Sequence, residues 1–516
     1  MEKVKILWVD DEIELLKPHI MFLQSKGYEL ETANNGEDAL EIIDNEVFDI
    51  VFLDENMPGI SGLETLSRIY ENHNIPVVMI TKSEEEYIME EALGSKISDY
   101  LIKPVNPNQI LLSLKKNLDT KRLVNEKVTS NYQKEFREIS MALMDVRSLN
   151  DWVDIYQKLV HWEVELDKID ASGMVEILEM QKNEANSQFF KYVKNNYKLW
   201  LKEGEEKPVL SHTLMKEKVF PHLSNLKPSF FILIDNLRYD QWKILQPIVE
   251  EWFKIEEETT FCSILPTATQ YSRNSIFSGL TPLDLSKRFP HLWKNDHEEG
   301  GKNLHEQEFL EDQMQRLGFA AKKMAYHKVV KQQYGDKLVD QFNNLLQNDL
   351  NVLVYNFVDM LSHAKTEMDM IRELAGNDKS YRALTRTWFE NSSLLEMLKK
   401  IADSGSDLFI TTDHGTINVG VPSKVVGDRE TSSNLRYKTG KRMQYQLKDV
   451  MVVDNPEDYF LPAANLTSSF IFARENVYLT YPNNYNHFVK YFRDTYQHGG
   501  ISLEEMICPI VRLSPK

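Results

Sequence analysis

Carboxylate and imidazole side chains follow three short apolar runs in the C-terminal half of the sequence. One run ends at Asp235, a second ends at Asp413 and His414, and a third leads to Asp359, with His363 four residues further on. An apolar run closed by a polar residue is typical of a buried parallel strand, and such strands deliver their last residues to one edge of a sheet. Because open α/β sheets bind ligands at that edge, the pattern predicts a metal site, and the number of ligands indicates two ions.

A hydroxyl-rich turn lies in the sequence between Asp235 and the run that leads to Asp359. Residues 266–269 read Pro-Thr-Ala-Thr and lead into a segment that begins a helix. A helix N-terminus presents free amides and the positive end of the helix dipole, which suits a phosphate group. A threonine hydroxyl is a weak nucleophile unless a nearby metal lowers its pKa, and the carboxylates and histidine at the strand ends could hold that metal. These residues therefore favour phosphoryl chemistry.

A second set of carboxylates lies in residues 1 to about 120, where strand and helix signals alternate. Asp10 and Asp11 follow one apolar run, Asp54 follows another, and Thr81 and Lys103 end two more. The repeat predicts a parallel, doubly wound sheet with these residues at one edge. Carboxylates so close together repel one another unless a cation is present, so a Mg²⁺ ion is implied. Such an ion holds phosphate oxygens while a carboxylate attacks phosphorus.

This N-terminal pattern closely resembles the receiver domain of response regulators. The matching residues are Asp10-Asp11, Asp54 within Leu-Asp-Glu-Asn-Met-Pro-Gly, Thr81, and Lys103-Pro104. The resemblance implies that Asp54 accepts a phosphoryl group from a sensor histidine kinase. Lys82 departs from the family, because receivers usually carry a small residue there, and it is expected to alter phosphoryl access or lifetime.

The same resemblance implies a role for each side chain around Asp54. Asp11, Asp54 and the main-chain carbonyl of Asn56 are expected to bind Mg²⁺, with Asp10 beside them. Thr81 and Tyr100 are expected to form the switch pair, and Lys103 to contact the phosphoryl oxygens. The bond between Lys103 and Pro104 is expected to be cis.

Residues 121–206 carry no visible chemistry but have a strong helical pattern. Residues 108–207 contain no proline, and apolar residues recur at helical spacing. We expect a small all-α bundle. It is either a structural spacer or an element that transmits phosphorylation or forms a dimer surface. The charged break at residues 203–208 is the expected boundary to the next domain.

The C-terminal stretches resemble the alkaline-phosphatase superfamily, and most closely its PglZ-type branch. The resemblance implies two Zn²⁺ ions with seven ligands in total: Asp235, Asp413, His414 and Thr269 for one ion, and Asp359, His363 and His498 for the other. It makes Thr269 the catalytic nucleophile, with Thr267 as the second choice. Ser272, Arg273 or the amide of residue 270 would contact the substrate oxyanion. An intact site that only binds a nucleotide, without turnover, stays an alternative.

The connection from residue 416 to residue 442 is basic in an acidic protein. It is rich in glycine, serine and charge and follows a ligand-bearing strand, as lids and substrate loops often do. It contributes six cationic side chains: Lys424, Arg429, Arg436, Lys438, Lys441 and Arg442. These residues are either a contact for the phosphate backbone of a nucleotide substrate or a solvated loop.

Composition limits the class of protein. The chain has 516 residues and a net charge of −19, which disfavours non-specific binding to duplex DNA. No apolar run approaches the roughly 20 residues of a membrane span, and the first residues do not resemble a signal peptide. Cys262 and Cys508 are the only cysteines, so a reducing cytoplasm and no disulfide framework are expected.

The whole chain resembles PorX-type response regulators. The predicted fold class is α/β: a flavodoxin-like receiver at 1–120, an all-α helical bundle at 121–206, and an α/β alkaline-phosphatase-superfamily domain at 207–516. The resemblance implies a phosphodiesterase acting on cyclic or linear oligonucleotides, a phosphorylation-dependent homodimer and a link to type IX secretion. The alternative is a non-catalytic, nucleotide-sensing scaffold that docks a sigma factor or a secretion component.

Overall fold

A computed structural model describes residues 4–73, 75–81, 97–169, 172–202, 207–223, 226–463, 465 and 467–516. The chain forms two compact units, residues 1–133 and residues 134–516. Each unit has its own main sheet and its own apolar core. Among the described residues, no helix combines the length and the apolar character that crossing a membrane requires.

The first unit is a five-stranded parallel sheet in the order β2-β1-β3-β4-β5. The strands are β1 (Lys5–Val9), β2 (Glu29–Ala33), β3 (Ile50–Asp54), β4 (Val77–Thr81) and β5 (Asp99–Ile102). The described helices are α1 (Lys17–Ser25), α2 (Gly36–Asn45), α3 (Gly62–Asn72) and α4 (Pro107–Leu114), and α5 (Thr120–Met144) contains the division between the units.

Alternation along β1 explains why this sheet is covered on both faces. Leu7 and Val9 pack with α2 and α3 in one buried cluster, whereas Ile6 and Trp8 pack with α1 and α4 in another. Successive strand residues point to opposite faces, so a strand that is apolar throughout is stable only between two helical layers. The predicted receiver fold is confirmed by this topology.

The second unit begins with helices that sequence analysis assigned to a separate bundle. Helices α6 (Leu149–Leu166) and α7 (Ser172–Trp200) pack on the C-terminal domain. The Asn186 amide donates to Glu504 Oε2 at 3.0 Å, and the Leu265 main-chain N–H donates to the Tyr197 hydroxyl at 2.7 Å. The three-part division at 120 and 206 therefore stays a prediction about domains, since these helices share one compact unit with the residues that follow.

A six-stranded sheet forms the core of the second unit, in the order β7-β18-β10-β6-β9-β8. Its strands are β6 (Ser229–Ile234), β7 (Phe253–Cys262), β8 (Met324–Val329), β9 (Leu350–Tyr355), β10 (Asp407–Thr411) and β18 (Ile507–Pro515). Strands β8, β9, β6 and β10 are parallel, and β18 is antiparallel to both β10 and β7. The carboxyl ends of β10, β6 and β9 are therefore neighbours at one edge.

Helices connect these strands and cover both sides of the sheet. They are α8 (Tyr239–Val249), α9 (Thr269–Ser278), α10 (Pro282–Arg288), α11 (Glu306–Arg316), α12 (Gln332–Asp340), α13 (Phe342–Leu345), α14 (Phe357–Glu367), α15 (Asp369–Leu374), α16 (Asp378–Glu390), α17 (Ser393–Asp403), α18 (Tyr485–Phe492) and α19 (Leu503–Met506). Cys262 and Cys508 lie on adjacent strands and are buried free thiols.

The basic connection after β10 contains strands, which corrects its description as a loop. The strands are β11 (Ile417–Val419), β12 (Val421–Lys424) and β13 (Tyr437–Lys441). They pair with β17 (Thr495–Gln497), β16 (Val477–Thr480) and β15 (Ser468–Ala473), and β14 (Val450–Val453) completes the last small sheet.

Candidate functional site

The predicted phosphorylation site lies at the carboxyl edge of the first sheet. Asp54 ends β3, Asp10 follows β1, and both are buried. Lys103 Nζ lies 2.8 Å from Asp54 Oδ2 and 2.9 Å from Asp10 Oδ2. Because the hydrogen bonds to these carboxylates outweigh the effect of burial, the pKa of Lys103 is raised. The lysine is therefore a fixed cation beside the predicted phosphoacceptor.

The carboxylates fit a divalent cation. Asp10, Asp11 and Asp54 each place an oxygen within 4.8 Å of the others. Asp54 Oδ1 is buried and has no hydrogen-bond partner among the described residues. Burial and the nearby Asp10 raise the pKa of Asp54 against the opposing effect of Lys103. A Mg²⁺ ion would supply the missing partner and relieve this repulsion.

The other residues predicted for this site are placed as follows. Thr81 is buried at the end of β4, Tyr100 is half-buried on β5, and Asn56 is exposed in the turn after β3. The peptide bond between Lys103 and Pro104 is cis, as predicted. Lys82 lies outside the described residues.

The first predicted zinc group lies where β6 and β10 end side by side. Asp235, Asp413 and His414 are fully buried and place ligand atoms within 4.8 Å of one another. Strand pairing explains their proximity, because Leu233 is in register with Thr411. Two strands that are far apart in sequence therefore end in one ligand set.

Thr269 stands at this group as the first residue of helix α9. Its hydroxyl lies 3.1 Å from His414 Nε2 and 3.5 Å from Asp235 Oδ1. The hydroxyl of Thr267, the second choice for nucleophile, instead donates to the Gly500 carbonyl at 2.9 Å and is fully buried. The geometry thus favours Thr269 over Thr267.

The second predicted zinc group lies beside the first. Asp359 and His363 are one turn apart on α14, and His498 follows β17; their ligand atoms lie within 4.8 Å of one another. Asp359 Oδ1 is 3.6 Å from His363 Nε2 and 3.8 Å from His498 Nε2. The His363 side chain is 62% exposed, so this group opens to solvent where the first group does not.

His414, which is fully buried, and His498, whose side chain is 16% exposed, present the same ring nitrogen to the centre. His414 Nδ1 contacts the Gly415 carbonyl at 3.1 Å, and His498 Nδ1 contacts the Thr267 carbonyl at 3.3 Å. A carbonyl contact of this kind places the proton on Nδ1 and leaves Nε2 free to bind a metal. Burial lowers the pKa of His414 and of His498 to about 3 each, so both rings are neutral, as metal binding requires.

The carboxylates of the centre are held under electrostatic strain. Burial raises the pKa of Asp235 to about 7, with Asp413 adding to the effect and Arg273 opposing it. Burial likewise raises the pKa of Asp413 and of Asp359. Asp413 Oδ2 is buried without a hydrogen-bond donor among the described residues. Oxygen and nitrogen donors crowded in this way fit Zn²⁺, which would neutralise the carboxylates.

Two asparagines at strand ends support the ligands and were missed by sequence analysis. Asn356 follows β9 and donates through Nδ2 to Asp235 Oδ2 at 2.7 Å. Asn236 follows Asp235 with a positive φ of 65°, and its main-chain N–H donates to Asp413 Oδ1 at 3.2 Å. The available signal was their position one or two residues after an apolar strand, where a polar side chain reaches the same edge as the predicted ligands.

Ser272 and Arg273, which were predicted to contact the substrate oxyanion, have partners within the protein. Both side chains are fully buried. The Ser272 hydroxyl donates to the Ala268 carbonyl at 3.2 Å, within its own helix. Arg273 Nη2 lies 3.1 Å from Asp235 Oδ2, and its Nε lies 3.0 Å from Glu306 Oε1. Arg273 therefore balances the charge of the ligand carboxylates.

Two of the six basic side chains after β10 are also directed inward, contrary to a role in phosphate contact. Arg436 is fully buried and lies 2.7 Å from Glu505 Oε2. Lys438 is fully buried and donates to the carbonyls of Ser432 and Asn434 at 3.1 and 3.0 Å. Lys424, Arg429 and Arg442 are not buried, and Lys441 lies 3.0 Å from Glu430 Oε2.

Three family models match consecutive segments of the chain. The response regulator receiver domain matches residues 6–115, the PorX response regulator linker domain matches residues 122–201, and the BREX system PglZ alkaline phosphatase-like domain matches residues 214–513. The last match covers more than half of the chain.

Curated relatives match the receiver part. A transcriptional regulatory protein CpxR homolog from Haemophilus influenzae is 39% identical over 113 residues, which are 22% of this chain and 48% of that protein. Transcriptional regulatory protein ZraR from Klebsiella oxytoca is 38% identical over 136 residues, which are 26% of this chain and 31% of that protein. The chain thus spans less than two thirds of the length of these relatives.

Solved structures match the same part. A CheY-like receiver domain protein from Methanospirillum hungatei has 30% identity and a TM-score of 0.22, covering 23% of this chain and 96% of that one. Response regulator TrrA from Thermotoga maritima, in complex with Mg²⁺-BeF, has 32% identity and a TM-score of 0.21, covering 22% and 97%.

The order of the matched segments is that of the predicted PorX-type architecture, which is confirmed. The chain belongs to the family of the PglZ alkaline phosphatase-like domain, and it carries that domain behind a response regulator receiver and a PorX-type linker.

Proposed function

We propose that the C-terminal domain is a two-zinc phosphodiesterase and that phosphorylation of Asp54 controls it. One observation carries the proposal: the Thr269 hydroxyl stands at a helix N-terminus, 3.1 Å from His414 Nε2, in a set of buried carboxylate and imidazole ligands. A hydroxyl at this position lies between the free amides of the helix N-terminus and the predicted metal ligands.

Two ligand sets would hold the metal ions. Asp235, Asp413 and His414 with Thr269 form one set, and Asp359, His363 and His498 form the other. Zn²⁺ bound there would lower the pKa of the threonine hydroxyl and neutralise the phosphoryl oxygens. Asn356 and Asn236 orient Asp235 and Asp413, and Arg273 limits their repulsion until metal binds.

The reaction proposed for Thr269 has two displacements at phosphorus. In the first, Thr269 Oγ1 loses its proton to solvent and bonds to phosphorus, the bond from phosphorus to the leaving alcohol oxygen breaks, and that alcohol takes a proton from water. In the second, water attacks phosphorus and loses a proton to solvent, the bond from phosphorus to Oγ1 breaks, and Oγ1 takes a proton from solvent, which restores the threonine hydroxyl. The amides of the first turn of α9, including that of Gln270, would stabilise the charge on the phosphoryl oxygens.

The substrate class and the regulation rest on the PorX-type resemblance. We propose cyclic or short linear oligonucleotides as substrates, a sensor histidine kinase as phosphodonor, a Mg²⁺ ion at Asp11 and Asp54, and a homodimer that phosphorylation favours. The biological setting proposed is the bacterial cytoplasm and the control of type IX secretion. The finding that supports the switch is the ion pair between the buried Asp54 and the half-buried Lys103, which the added phosphoryl group would rearrange.

Hydrolysis of a chromogenic phosphodiester and of the matching monoester by zinc-loaded protein tests the enzyme. We expect diester turnover in the wild type, loss of about three orders of magnitude in Thr269→Ala, and partial activity in Thr269→Ser, which keeps the hydroxyl. Preferential monoester turnover would overturn the substrate class, and equal activity in Thr269→Ala would overturn the nucleophile.

The switch has its own test. Treatment with acetyl phosphate and Mg²⁺ should add one phosphoryl group to the wild type and none to Asp54→Asn, as read by intact mass. If phosphorylation of Asp54 regulates the C-terminal domain, this treatment should change diester turnover or dimer content in the wild type and not in Asp54→Asn. Equal responses in Asp54→Asn would contradict it.

A further inference from the structure

A cationic cavity lies in the second unit, away from the residues assigned so far. Its volume is about 640 Å³, and it lies between α14, α15 and α18. Four cations and one carboxylate are among the side chains that line it: Lys365, Arg372, Lys490, Arg493 and Asp494. Because the chain has a net charge of −19, four cations gathered around one cavity are unusual, and they indicate a site for an anionic ligand.

Lys365 is the least satisfied of these cations. Its side chain is fully buried, and Nζ has no hydrogen-bond acceptor within the described part of the chain. Nζ lies 4.2 Å from the centroid of the Tyr496 ring, and the carboxylates of Asp378 and Asp494 attract it from a distance. A buried ammonium without an acceptor is costly, and a cation–π contact offsets that cost only in part. An anion in the cavity would supply the missing acceptor and the opposite charge.

The remaining cations are held in place or face solvent. Arg372 donates to the carbonyls of Thr366 and Tyr491 at 2.7 and 3.4 Å, which ties α15 to α14 and α18. Lys490 and Arg493 are exposed, and neither forms an ion pair with any carboxylate that the structure describes. The cavity therefore has one arginine, Arg372, held in a fixed position by main-chain carbonyls, and two solvent-exposed cations, Lys490 and Arg493, without an ion pair among the described residues.

The cavity is separate from the metal centre. Asp359 and His363 lie on one face of α14, whereas Lys365 follows His363 by two residues, a rotation of about 200° around the helix. The cavity and the ligands therefore lie on opposite sides of α14. A group bound in the cavity would not occupy the position of a reacting phosphate beside Thr269.

We propose that this cavity is a second anion site, which binds the phosphate groups of a phosphorylated ligand. Its volume lies within the range of small-molecule sites, roughly 300–1,000 Å³. Four cations suit two linked phosphates better than one. No aromatic side chain lines the cavity among the described residues, so recognition is by charge and not by a base. The inference is independent of the diesterase reaction.

Calorimetric titration of the full-length protein with inorganic pyrophosphate tests this site. The titration is made in EDTA, which removes metal and so prevents binding at the metal centre and at the receiver. We expect one pyrophosphate per chain, bound more tightly than inorganic phosphate and more weakly as salt is raised. Absence of binding in EDTA would overturn the proposal, whatever the protein hydrolyses when loaded with zinc.

Variants locate the binding. Lys490→Ala/Arg493→Ala changes two exposed residues and should weaken pyrophosphate binding at least tenfold. Lys331→Ala/Lys337→Ala removes the same charge from exposed positions at α12 and should change it less than twofold. Equal effects of the two pairs would show that binding depends on net charge alone and would overturn the site.

A substitution of opposite sign completes the test. Asp494 lines the cavity with a positive φ of 60°, a conformation that asparagine adopts readily. Asp494→Asn removes the one carboxylate among the described residues that line the cavity, with little change of shape, and should tighten pyrophosphate binding several-fold. Unchanged or weaker binding in this variant would contradict the proposed position of the anion.

Discussion

The imidazole rings of His414 and His498 stack with their centroids 4.3 Å apart and their planes inclined by 20°. One ring belongs to the ligand group of Asp235, and the other belongs to the group of Asp359. Each ring is oriented by a main-chain carbonyl at Nδ1. The stack therefore joins two ligand groups from distant parts of the chain into one centre.

Replacement of His498 tests whether these groups hold separate ions. We expect His498→Ala to lower the zinc content from about two ions to about one per chain, because the group of Asp359 keeps only two ligands. Metal analysis after dialysis measures this. His305→Ala, at a histidine outside both groups, is the control and should keep both ions. Retention of both ions in His498→Ala would remove this residue from the ligand set.

The amide of Asn356 predicts an effect without loss of any ligand. It donates to Asp235 Oδ2 at 2.7 Å, so Asn356→Ala leaves that oxygen oriented by Arg273 alone. Losing such a supporting hydrogen bond costs about 10- to 100-fold in metal affinity. Competition with a zinc chelator measures the affinity, and Asn344→Ala, at an exposed asparagine on α13, serves as control. An unchanged affinity would show that Asn356 does not position Asp235.

Sequence patterns predicted the ligand-bearing strands well, because burial on both faces of a parallel strand leaves a visible apolar run. The strands that end before Asp235 and Asp413 were recognised in this way, and they are adjacent in the sheet. The inward direction of Arg273 and Arg436 could not be recognised. Charged side chains are usually exposed, and the partners that justify burial, Glu306 and Glu505, lie 33 and 69 residues away.

The packing of the linker helices predicts where the chain can be shortened. Lys182 on α7 lies 3.0 Å from Glu163 Oε2 and 3.7 Å from Glu504 Oε1, and Arg382 on α16 contacts Glu163 and Asp167. Removal of α6 and α7 would take Lys182 away from Glu504 and leave Arg382 paired with Asp240 alone. It would also expose apolar surface that these helices cover, such as the ring of Tyr239 against Tyr156.

A chain that begins at residue 134 is therefore expected to fold, and one that begins at residue 207 is expected to aggregate. Thermal unfolding and size-exclusion chromatography of the two chains measure this difference. Both chains contain every predicted zinc ligand and differ only in residues 134–206. A loss of folding in the shorter chain is therefore attributable to the helices in that segment. A stable chain from residue 207 would show that the helices contribute little to the unit.

Lys438 predicts a pH dependence of stability away from the metal centre. Its ammonium group is fully buried, contacts two carbonyls and the ring of Tyr481 at 4.3 Å, and forms no ion pair with a carboxylate in the described ranges. Burial lowers its pKa to about 7, whereas a lysine in the unfolded chain has a pKa of about 10.4. Between these values the unfolded chain binds one proton more than the folded chain, so the free energy of unfolding rises with pH. The slope from this group is about 1.4 kcal/mol per pH unit.

Urea unfolding at pH 7 and pH 9 should therefore show a gain of about 2–3 kcal/mol in the free energy of unfolding of the wild type, and Lys438→Met should lack this gain. The same gain in Lys438→Met would assign the pH dependence to other groups.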